Sequence, residues 1–540
     1  MDLTLPRWME DYLQWHTETK HQLVQQLQRE QREQQQGKEQ VPQSLTTPLP
    51  RLLILVCTTT HRQRGVCGGL SDRLRPLPLV LLGAATTHRL LLIYWDKPTQ
   101  LQEFLIPPPP TTALTSTTIL DWTVPSQLQD VLFPSSTDST TTTSKNTTTT
   151  TAHHQLQLSP TQQYYQQHFG GRQKQKPPKH ILNTKTFMDM IQQPYVNDTI
   201  IVTTNLQWWD GGYQSYTNER RRQQQVQQQE QKQQVQQPNT PPHDEQVVVV
   251  KVEDEYSYYY ARLWRRTFVP TQPIQQQIQH VYDTTSLLGN NNHAKNNNHT
   301  SNNDDGYVVV HYRALWWEDQ PMPTLQEQST IVDHAIHCIS KMVVVNHNHN
   351  QNNNNDSSPP PPVIYFATDS IVAQQYVTKK YVNSNTNNTN SNANNTIRVV
   401  VVPHGNIVHL DRVQIVSPSS SMTTTKSTTA PTSTKDTTTS TTTTSRTTAT
   451  TTTNATTTTA LIDKSTTFVQ SVSDIYPVFV DLYLLAGGYC IAYGDGGYGQ
   501  FASLLQLQSQ QQQPQYSQPQ LQQPRRCQKR YIKRHNLQQC

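Results

Sequence analysis

The 540-residue sequence has little of what a metal centre or a disulfide scaffold requires. Its six cysteines form no C-x-x-C pair and no zinc-ligand spacing, which excludes the common zinc folds and thioredoxin-type redox motifs. Cys57 and Cys490 lie in apolar runs, and their simplest interpretation is as small buried hydrophobic residues. Cys67 and Cys527 are available for disulfides, but a sequence does not define their pairing.

A long hydrophobic run is also missing. The most apolar window, Pro76–Trp95, contains His88 and Arg89, so it indicates a helix followed by a strand. The first sixteen residues have neither the basic end nor the apolar core of a signal peptide. We therefore expect no membrane span, and either a soluble chain or one that lacks its true N-terminus.

Charge is sparse as well: charged residues make up 15% of the chain, and the net charge is +5. The basic clusters Arg220–Arg222 and Arg525–Arg534 lie beside low-complexity sequence. A nucleic-acid-binding face would instead interleave basic and aromatic residues on ordered structure. We predict that these clusters belong to solvated tails and that nucleic acid is not a partner.

Polar low-complexity tracts are abundant, and we predict that they are disordered because they bury too little apolar surface to offset their ordering entropy. They are Gln-rich (Gln22–Gln43, Arg221–Gln237, Gln506–Gln523), Thr/Ser-rich (Pro134–Thr151, Ser417–Thr459) and Asn-rich (Asn290–Asn303, Asn346–Asn355, Asn383–Asn395). About 350 residues of ordinary sequence remain, enough for two domains.

Between the tracts, strand-like runs alternate with helical segments in both halves of the chain. The first half contains a βαβ unit from "RLLILVC" (Arg51–Cys57) to "RLLLIYW" (Arg89–Trp95), with a glycine turn and helix between them. The second half repeats the alternation, with strands predicted at Tyr307–Val310, Val363–Asp369, Thr396–Val402 and Tyr489–Gly494. This pattern predicts the α/β class, with two Rossmann-like domains facing across a cleft and long Gln-, Asn- and Thr-rich insertions.

The predicted domain boundaries follow from these shifts in composition. Residues 1–50 form a Gln-rich segment that is disordered or helical, and residues 51–285 form the first Rossmann-like domain. Residues 305–505 form the second domain, and residues 506–540 form a Gln-rich and basic tail.

The stretch "GYVVVHYRALWWEDQ" raises the question of function. A buried strand delivers His311 and Arg313 to its carboxyl end, the edge at which α/β proteins bind ligands. Arginine offers a fixed fork of donors that fits phosphate oxygens, and His311 either donates to the same group or orders the turn.

A second motif, "YCIAYGDGGYGQFASLL", has glycines at positions 494, 496 and 499, between a strand and a helix. This context favours a loop whose backbone approaches a phosphate, although a tight turn needs glycine equally. An acid about 20 residues downstream, which would hold the ribose of a dinucleotide, is missing, so we expect no NAD chemistry. "YFATDS" adds Thr368, Asp369 and Ser370 at another strand end, where Ser370 suits ligand contact or helix capping.

These motifs resemble, in order, those of GDP-fucose-dependent fucosyltransferases. "GVCGGLSDRL", "RLLLIYW", "FVPTQPI", "VVVHYR", "YFATDS" and "DLYLLAGGYCIAYGDGGYGQFAS" carry the resemblance, which extends from about residue 51 to 505. It implies a GT-B fold, transfer of L-fucose from GDP-fucose to a glycan or glycoprotein with inversion, no metal or other cofactor, and a Golgi or ER location. The alternatives are a non-catalytic carbohydrate- or protein-binding scaffold of this fold and a transferase that uses another nucleotide sugar.

The resemblance also implies residue roles. Arg313 corresponds to the arginine that holds the β-phosphate, with His311 as its partner, and Asp369 to an acid that contacts guanine or ribose. The remaining donor-binding candidates lie beside these residues and in the two glycine loops: Thr368, Ser370, Gly496, Gly497, Tyr498, Gly499, Ser503, Gly68, Gly69 and Arg73.

The chain departs from the family in one respect that concerns catalysis. Several relatives carry an acid three residues after the arginine, whereas Ala314, Leu315 and Trp316 follow Arg313 here, and Glu318 and Asp319 are the nearest carboxylates. Either of these is our candidate general base. Trp208 and Trp209 in the first domain are predicted to stack on the acceptor sugar or to pack in the core.

Overall fold

The structure is a computed structural model. It describes residues 5–36, 49–58, 67–109, 118–133, 158–163, 187, 199–203, 252–285, 287, 307–314, 323–350, 363–383, 397–402, 410, 413–415, 467–469, 471–494, 497–506, 527–530, 532–533 and 536–537. Most of the polar tracts predicted to be disordered insertions lie outside these residues. The described part is an α/β structure whose two largest sheets are parallel.

The first sheet contains three parallel strands in the order β2-β1-β4. They are β1 (Arg51–Cys57), β2 (Arg89–Trp95) and β4 (Thr199–Thr203), and two helices, α2 (Leu70–Leu74) and α3 (Leu77–Thr86), connect the first two. β1 and β2 have the bounds that their apolar runs predict, because a strand covered on both faces carries continuous hydrophobic sequence.

The Gln-rich N-terminal segment contains helix α1 (Arg7–Gln35), which packs on this sheet. The Tyr12 hydroxyl donates to the carbonyl of Arg89 at 2.9 Å, and the His16 ring lies 2.9 Å from the carbonyl of Leu91. Further along, Leu23 and Leu27 join the core beneath β1 and β2. The segment is therefore helical in its described part and anchored to the first sheet.

Several short elements lead from the first sheet to the second. They are β3 (Leu105–Ile106), α4 (Ser126–Leu132), α5 (Val252–Thr267), β5 (Val269–Pro270) and α6 (Gln272–Thr285), with β3 and β5 paired antiparallel. The break between α5 and α6 falls at the short strand β5, which contains Pro270.

The second sheet has five parallel strands in the order β12-β11-β6-β7-β8. They are β6 (Val308–Tyr312), β7 (Val363–Thr368), β8 (Arg398–Val401), β11 (Cys490–Tyr493) and β12 (Cys527–Arg530). Counted along the chain, this is the order 3-2-1-4-5 read from the β8 edge, the doubly wound arrangement. The strand order reverses between β6 and β11, so the crevice at their carboxyl ends is the position at which such sheets bind ligands.

Helices cover both faces of the second sheet. α7 (Leu325–Asn350) and α8 (Ile371–Val377) pack on one face, against Val308, Val310 and Phe366. α9 (Tyr476–Gly487) and α10 (Gly497–Leu505) pack on the other face. The core under α9 and α10 is continuous with the core of the first sheet, so the two sheets share buried apolar side chains.

Short pairs of strands complete the described part: β9 (Val413–Ile415) with β10 (Thr467–Val469), and β13 (Ile532–Lys533) with β14 (Asn536–Leu537). β12, β13 and β14 belong to the segment predicted as a tail. β12 pairs in parallel with β11, so part of the basic cluster enters the second sheet.

The interpretation of Cys57 as a plain hydrophobic residue is corrected by the structure. Cys57 is buried, but it forms a disulfide with Cys67, ten residues later in the chain. Cys490 is likewise buried and disulfide-bonded, as is Cys338.

Candidate functional site

The His-x-Arg motif and the glycine turn meet at the reversal of strand order. His311 on β6 is in register with Tyr493 on β11, and the Gly494 N–H donates to the His311 carbonyl at 3.3 Å. Arg313 follows directly on β6, and the turn into α10 follows directly on β11. The two motifs therefore lie at neighbouring strand ends on one edge of the sheet.

Arg313 is held by a carboxylate from the next strand. Its Nε lies 3.8 Å from Oδ2 of Asp369, and the other oxygen, Oδ1, accepts the backbone N–H of Ala314 at 2.7 Å. Each side chain of the pair is about one-fifth exposed, at 19% for Arg313 and 18% for Asp369. The guanidinium is thus oriented by its partner while both groups keep access to solvent.

His311 faces the opposite side of the sheet from its neighbours Val310 and Tyr312, because side chains alternate along a strand. This alternation brings its ring to 5.2 Å from that of Tyr498 in the first turn of α10. The pKa of His311 is lowered to about 4, mainly by burial and also by the charge of Arg313, while Asp481 opposes the shift. The ring is therefore neutral at pH 7.

The start of α10 needs glycine for close packing. A Cβ on Gly499 would lie 2.6 Å from the Cβ of Tyr493 and 2.9 Å from Nδ1 of His311. A Cβ on Gly497 would lie 2.6 Å from Oγ of Ser71 in α2. The first turn of α10 is therefore enclosed by β6 and β11 on one side and by the first sheet's glycine loop on the other.

That loop has its own requirement for glycine. Gly68 has φ +65°, a left-handed conformation that disfavours side chains, and the Gly69 N–H donates to Asp72 at 3.0 Å. The loop begins at the Cys57–Cys67 disulfide, which fixes it to the carboxyl end of β1.

Arg73 organises the same loop from inside the protein. It is fully buried, and its guanidinium donates to the carbonyls of Gly68, Lys97 and Leu410 at 2.6–3.4 Å. Its guanidinium carbon also lies 4.9 Å from the centre of the Trp95 ring. These contacts give Arg73 a structural role, and contact with a donor sugar stays a prediction.

Arg75 links the loop to α10, a contact that the sequence analysis missed. Its guanidinium donates to Oε1 of Gln500 at 3.2 Å, and Arg75 is 6% exposed. The two residues are 425 positions apart, so their contact has no local sequence pattern. The one indication in the sequence is a second arginine two residues after Arg73.

The remaining donor-side candidates have clear local partners. Ser370 caps α8 by accepting the Ala373 N–H at 3.1 Å and also donates to Gln328, so the capping alternative is the geometry observed. Thr368 accepts the Ser370 N–H at 3.0 Å. Ser503 is buried in the second turn of α10 and donates to the carbonyl of Gln500 at 2.7 Å.

Asp481 on α9 is a second residue that the sequence analysis missed. It accepts the Tyr365 hydroxyl at 2.5 Å and lies close enough to His311 to influence its pKa. The hydroxyl of Tyr498 donates to the carbonyl of Val478 on the same helix. The available signal was one acid in the otherwise apolar stretch "VFVDLYLL".

Five predicted site residues lie outside the described residues: Gly496, Glu318, Asp319, Trp208 and Trp209. Within the described ranges, no three His, Cys, Asp or Glu side chains are grouped closely enough to hold a metal ion. None of the described helices combines the length and the apolar character that a bilayer crossing requires.

No protein-family model matches the sequence, and no curated protein matches it. Among solved structures, NodZ α-1,6-fucosyltransferase soaked with GDP-fucose matches over 84% of this chain and 92% of its own, with 12% identity and a TM-score of 0.33. Fucosyltransferase NodZ from Bradyrhizobium matches over 84% and 93%, with 13% identity and a TM-score of 0.33. A mutant of Arabidopsis thaliana FUT1 in complex with GDP matches over 92% and 76%, with 10% identity and a TM-score of 0.39. The chain is thus similar to fucosyltransferases of known structure, the group that its motifs resemble.

Proposed function

We propose that this protein is a GT-B-type glycosyltransferase that moves L-fucose from GDP-fucose to a hydroxyl of a glycan or glycoprotein, with inversion and without a metal. The observation that carries the proposal is the meeting of Arg313 and the start of α10 at the point where strand order reverses. The choice of GDP-fucose as donor rests on the order of the sequence motifs.

The described geometry supports a site for a diphosphate. Arg313 offers a fork of donors whose direction is set by Asp369. α10 begins at the same edge of the sheet, so the positive end of its dipole and its first backbone N–H groups would stabilise an anion there. Neutral His311 can donate one hydrogen bond there without adding charge.

The reaction would place charge where these donors lie. As the bond between the anomeric carbon and the diphosphate oxygen breaks, its electron pair moves to that oxygen of GDP, and fixed donors stabilise the growing charge. The acceptor hydroxyl attacks the anomeric carbon from the opposite face, which inverts the configuration. Its proton passes to a carboxylate, for which Glu318 and Asp319 are the candidates.

The first sheet would provide the acceptor side of the cleft. Ser71 and Arg75, which follow its Gly68–Gly69 loop, contact the start of α10. An acceptor bound to the first sheet's side of the cleft would therefore lie next to the donor. Trp208 and Trp209 are candidates for stacking on the acceptor sugar. We also propose a Golgi or ER lumenal location, which suits a chain that contains disulfides.

The test is binding and turnover with purified protein. GDP should raise the melting temperature more than UDP or NAD at equal concentration, because a ligand that binds only the native state stabilises it. With a mixture of glycan acceptors, GDP-fucose should release GDP. A scaffold would bind GDP-fucose without releasing GDP.

The Arg313→Ala variant should weaken GDP binding at least about 100-fold by calorimetry, since a charge-assisted bidentate contact is lost. Arg7→Ala is the matched control, because the Arg7 side chain is 95% exposed at the start of α1. Equal GDP affinity of the Arg313 variant and the wild type would overturn the donor-site assignment.

A further inference from the structure

A guanidinium from the first half of the chain lies at the N-terminal end of α10. Arg75 directly follows α2, and its Nη1 donates to Oε1 of Gln500 at 3.2 Å. The same Nη1 lies 3.5 Å from the position that a Cβ on Gly497, the first residue of α10, would occupy. Arg75 therefore contacts the first turn of the helix.

Helical geometry shows on which side of α10 this cation lies. Each residue turns an α-helix by about 100°, so positions 497 and 500 share one side and position 499 points to the opposite side. Arg75 contacts the side of Gly497 and Gln500, whereas Nδ1 of His311 lies 2.9 Å from the position of a Cβ on Gly499. The first turn of α10 thus lies between Arg75 and the end of β6.

Two positive groups meet at this point. The N-terminal end of a helix carries about half of an elementary positive charge, and the buried side chain of Arg75 adds a full charge. The two groups repel each other, and an anion bound between them would attract both. Gly497 and Gln500 are each partly exposed, so the first turn of α10 is accessible to solvent on this side.

We propose that Arg75 contacts the diphosphate of the nucleotide, so that the donor site combines Arg313 and α10 with a cation from the first sheet's side. The inference rests on the proposed function and adds a residue to its site. Arginine suits this position because its planar fork of five N–H donors can bind Gln500 and a phosphate oxygen at the same time. The affinity for nucleotide then depends on the packing between the two halves of the chain.

The test compares Arg75→Gln with the wild type by calorimetric titration of GDP and of guanosine. GDP should bind about tenfold more weakly, since a charge-assisted hydrogen bond is lost. Guanosine, which lacks the phosphates, should bind the variant and the wild type with affinities within about threefold of each other. Arg75→Lys keeps the charge but loses the planar fork, so its GDP affinity should lie between those of the wild type and Arg75→Gln.

Gln500→Ala separates the charge of Arg75 from its hydrogen bond to the helix. This variant keeps the cation and removes its partner on α10, so it should weaken GDP binding by no more than about threefold. If Gln500→Ala weakens GDP binding as much as Arg75→Gln does, Arg75 only holds the helix in place and the inference is overturned.

Arg51→Gln is the matched control for loss of a cation. Arg51 is the first residue of β1, whereas the loop that leads to Arg75 is joined to the other end of that strand by the Cys57–Cys67 disulfide. The control should keep the wild-type ratio of GDP affinity to guanosine affinity.

The outcomes for the wild type and for the variants separate the two proposals. If the wild type binds no GDP, the proposed function fails. If the wild type binds GDP and Arg75→Gln, folded as judged by its melting temperature, keeps the wild-type ratio of GDP to guanosine affinity, only this inference fails. If Arg75→Gln does not fold, the same ratio measured for Arg75→Lys decides.

Discussion

Arg313 and Asp369 are linked across the carboxyl ends of β6 and β7, with Nε 3.8 Å from Oδ2. The same carboxylate accepts the Ala314 N–H, so it fixes both the side chain of Arg313 and the backbone that follows it. Asp369 was predicted to contact a nucleoside. Its position in the structure adds a second role, that of orienting the arginine.

Asp369→Asn should therefore weaken GDP binding about tenfold in calorimetric titration. The amide oxygen can still accept the Ala314 N–H, but the partner that directs the guanidinium is lost, which costs about 1–3 kcal/mol. Removing a negative charge near the phosphates favours binding, but by about 1 kcal/mol or less in a partly solvated site. Asp333→Asn, which breaks the pair between Asp333 on α7 and Lys380 beyond α8, is the matched control and should leave binding unchanged. Tighter binding by the Asp369 variant would show that the carboxylate does not orient Arg313.

Gly497→Ala should destabilise the protein by about 1–3 kcal/mol, because the added methyl would meet the Ser71 hydroxyl at 2.6 Å. The double variant Ser71→Ala/Gly497→Ala removes that hydroxyl, and it should recover most of the loss. Urea unfolding of the two single variants and the double variant measures the coupling between the sites. Additive effects would mean that α2 does not enclose the start of α10.

Two buried histidines make the protein sensitive to mild acid. Burial lowers the pKa of His16 and of His311 from 6.5 to about 4, so the folded state favours the neutral rings. The free energy of unfolding should be highest above pH 6.5. It should decrease as the pH drops from 6.5 towards 4, by up to about 3 kcal/mol for each ring. Urea unfolding at a series of pH values checks this window.

His16→Gln isolates one of these contributions, since the Gln amide can donate to the Leu91 carbonyl as the ring does. Its stability should change less between pH 6.5 and 4 than that of the wild type. His280→Gln replaces an exposed ring and should keep the pH dependence of the wild type. An unchanged dependence in the His16 variant would contradict the assignment.

The sequence predicts the strands well where packing is local and apolar. β1 and β2 are covered on both faces, and their continuous hydrophobic runs mark both ends. Strand β12 has no such signal, because "CQKR" contains no apolar alternation, although its backbone pairs with that of β11. The sequence does not decide between disorder and a helix for residues 1–50, because the glutamines of α1 mask its buried apolar positions. These positions are Met9, Leu13, Leu23 and Leu27, and their helical spacing is the usable signal.

The candidate site shows the same difference between features with a local sequence pattern and features without one. Arg313 and the glycine turn both follow strands, and parallel strands end at one edge, so their proximity is predictable from the sequence. The contact of Arg73 with Leu410 could not be predicted, since Leu410 approaches Arg73 only after the two halves of the chain pack together. The Arg75–Gln500 contact has the same origin.

The Cys57–Cys67 disulfide has a consequence for handling the protein. It closes a short ring at the end of β1, and opening such a ring costs about 3 kcal/mol through the entropy gained by the unfolded chain. Material produced in a reducing cytosol would lose this tether, so Ser71 and Arg75 would be held less firmly against α10. The redox history of a preparation would then set its measured affinity for nucleotide.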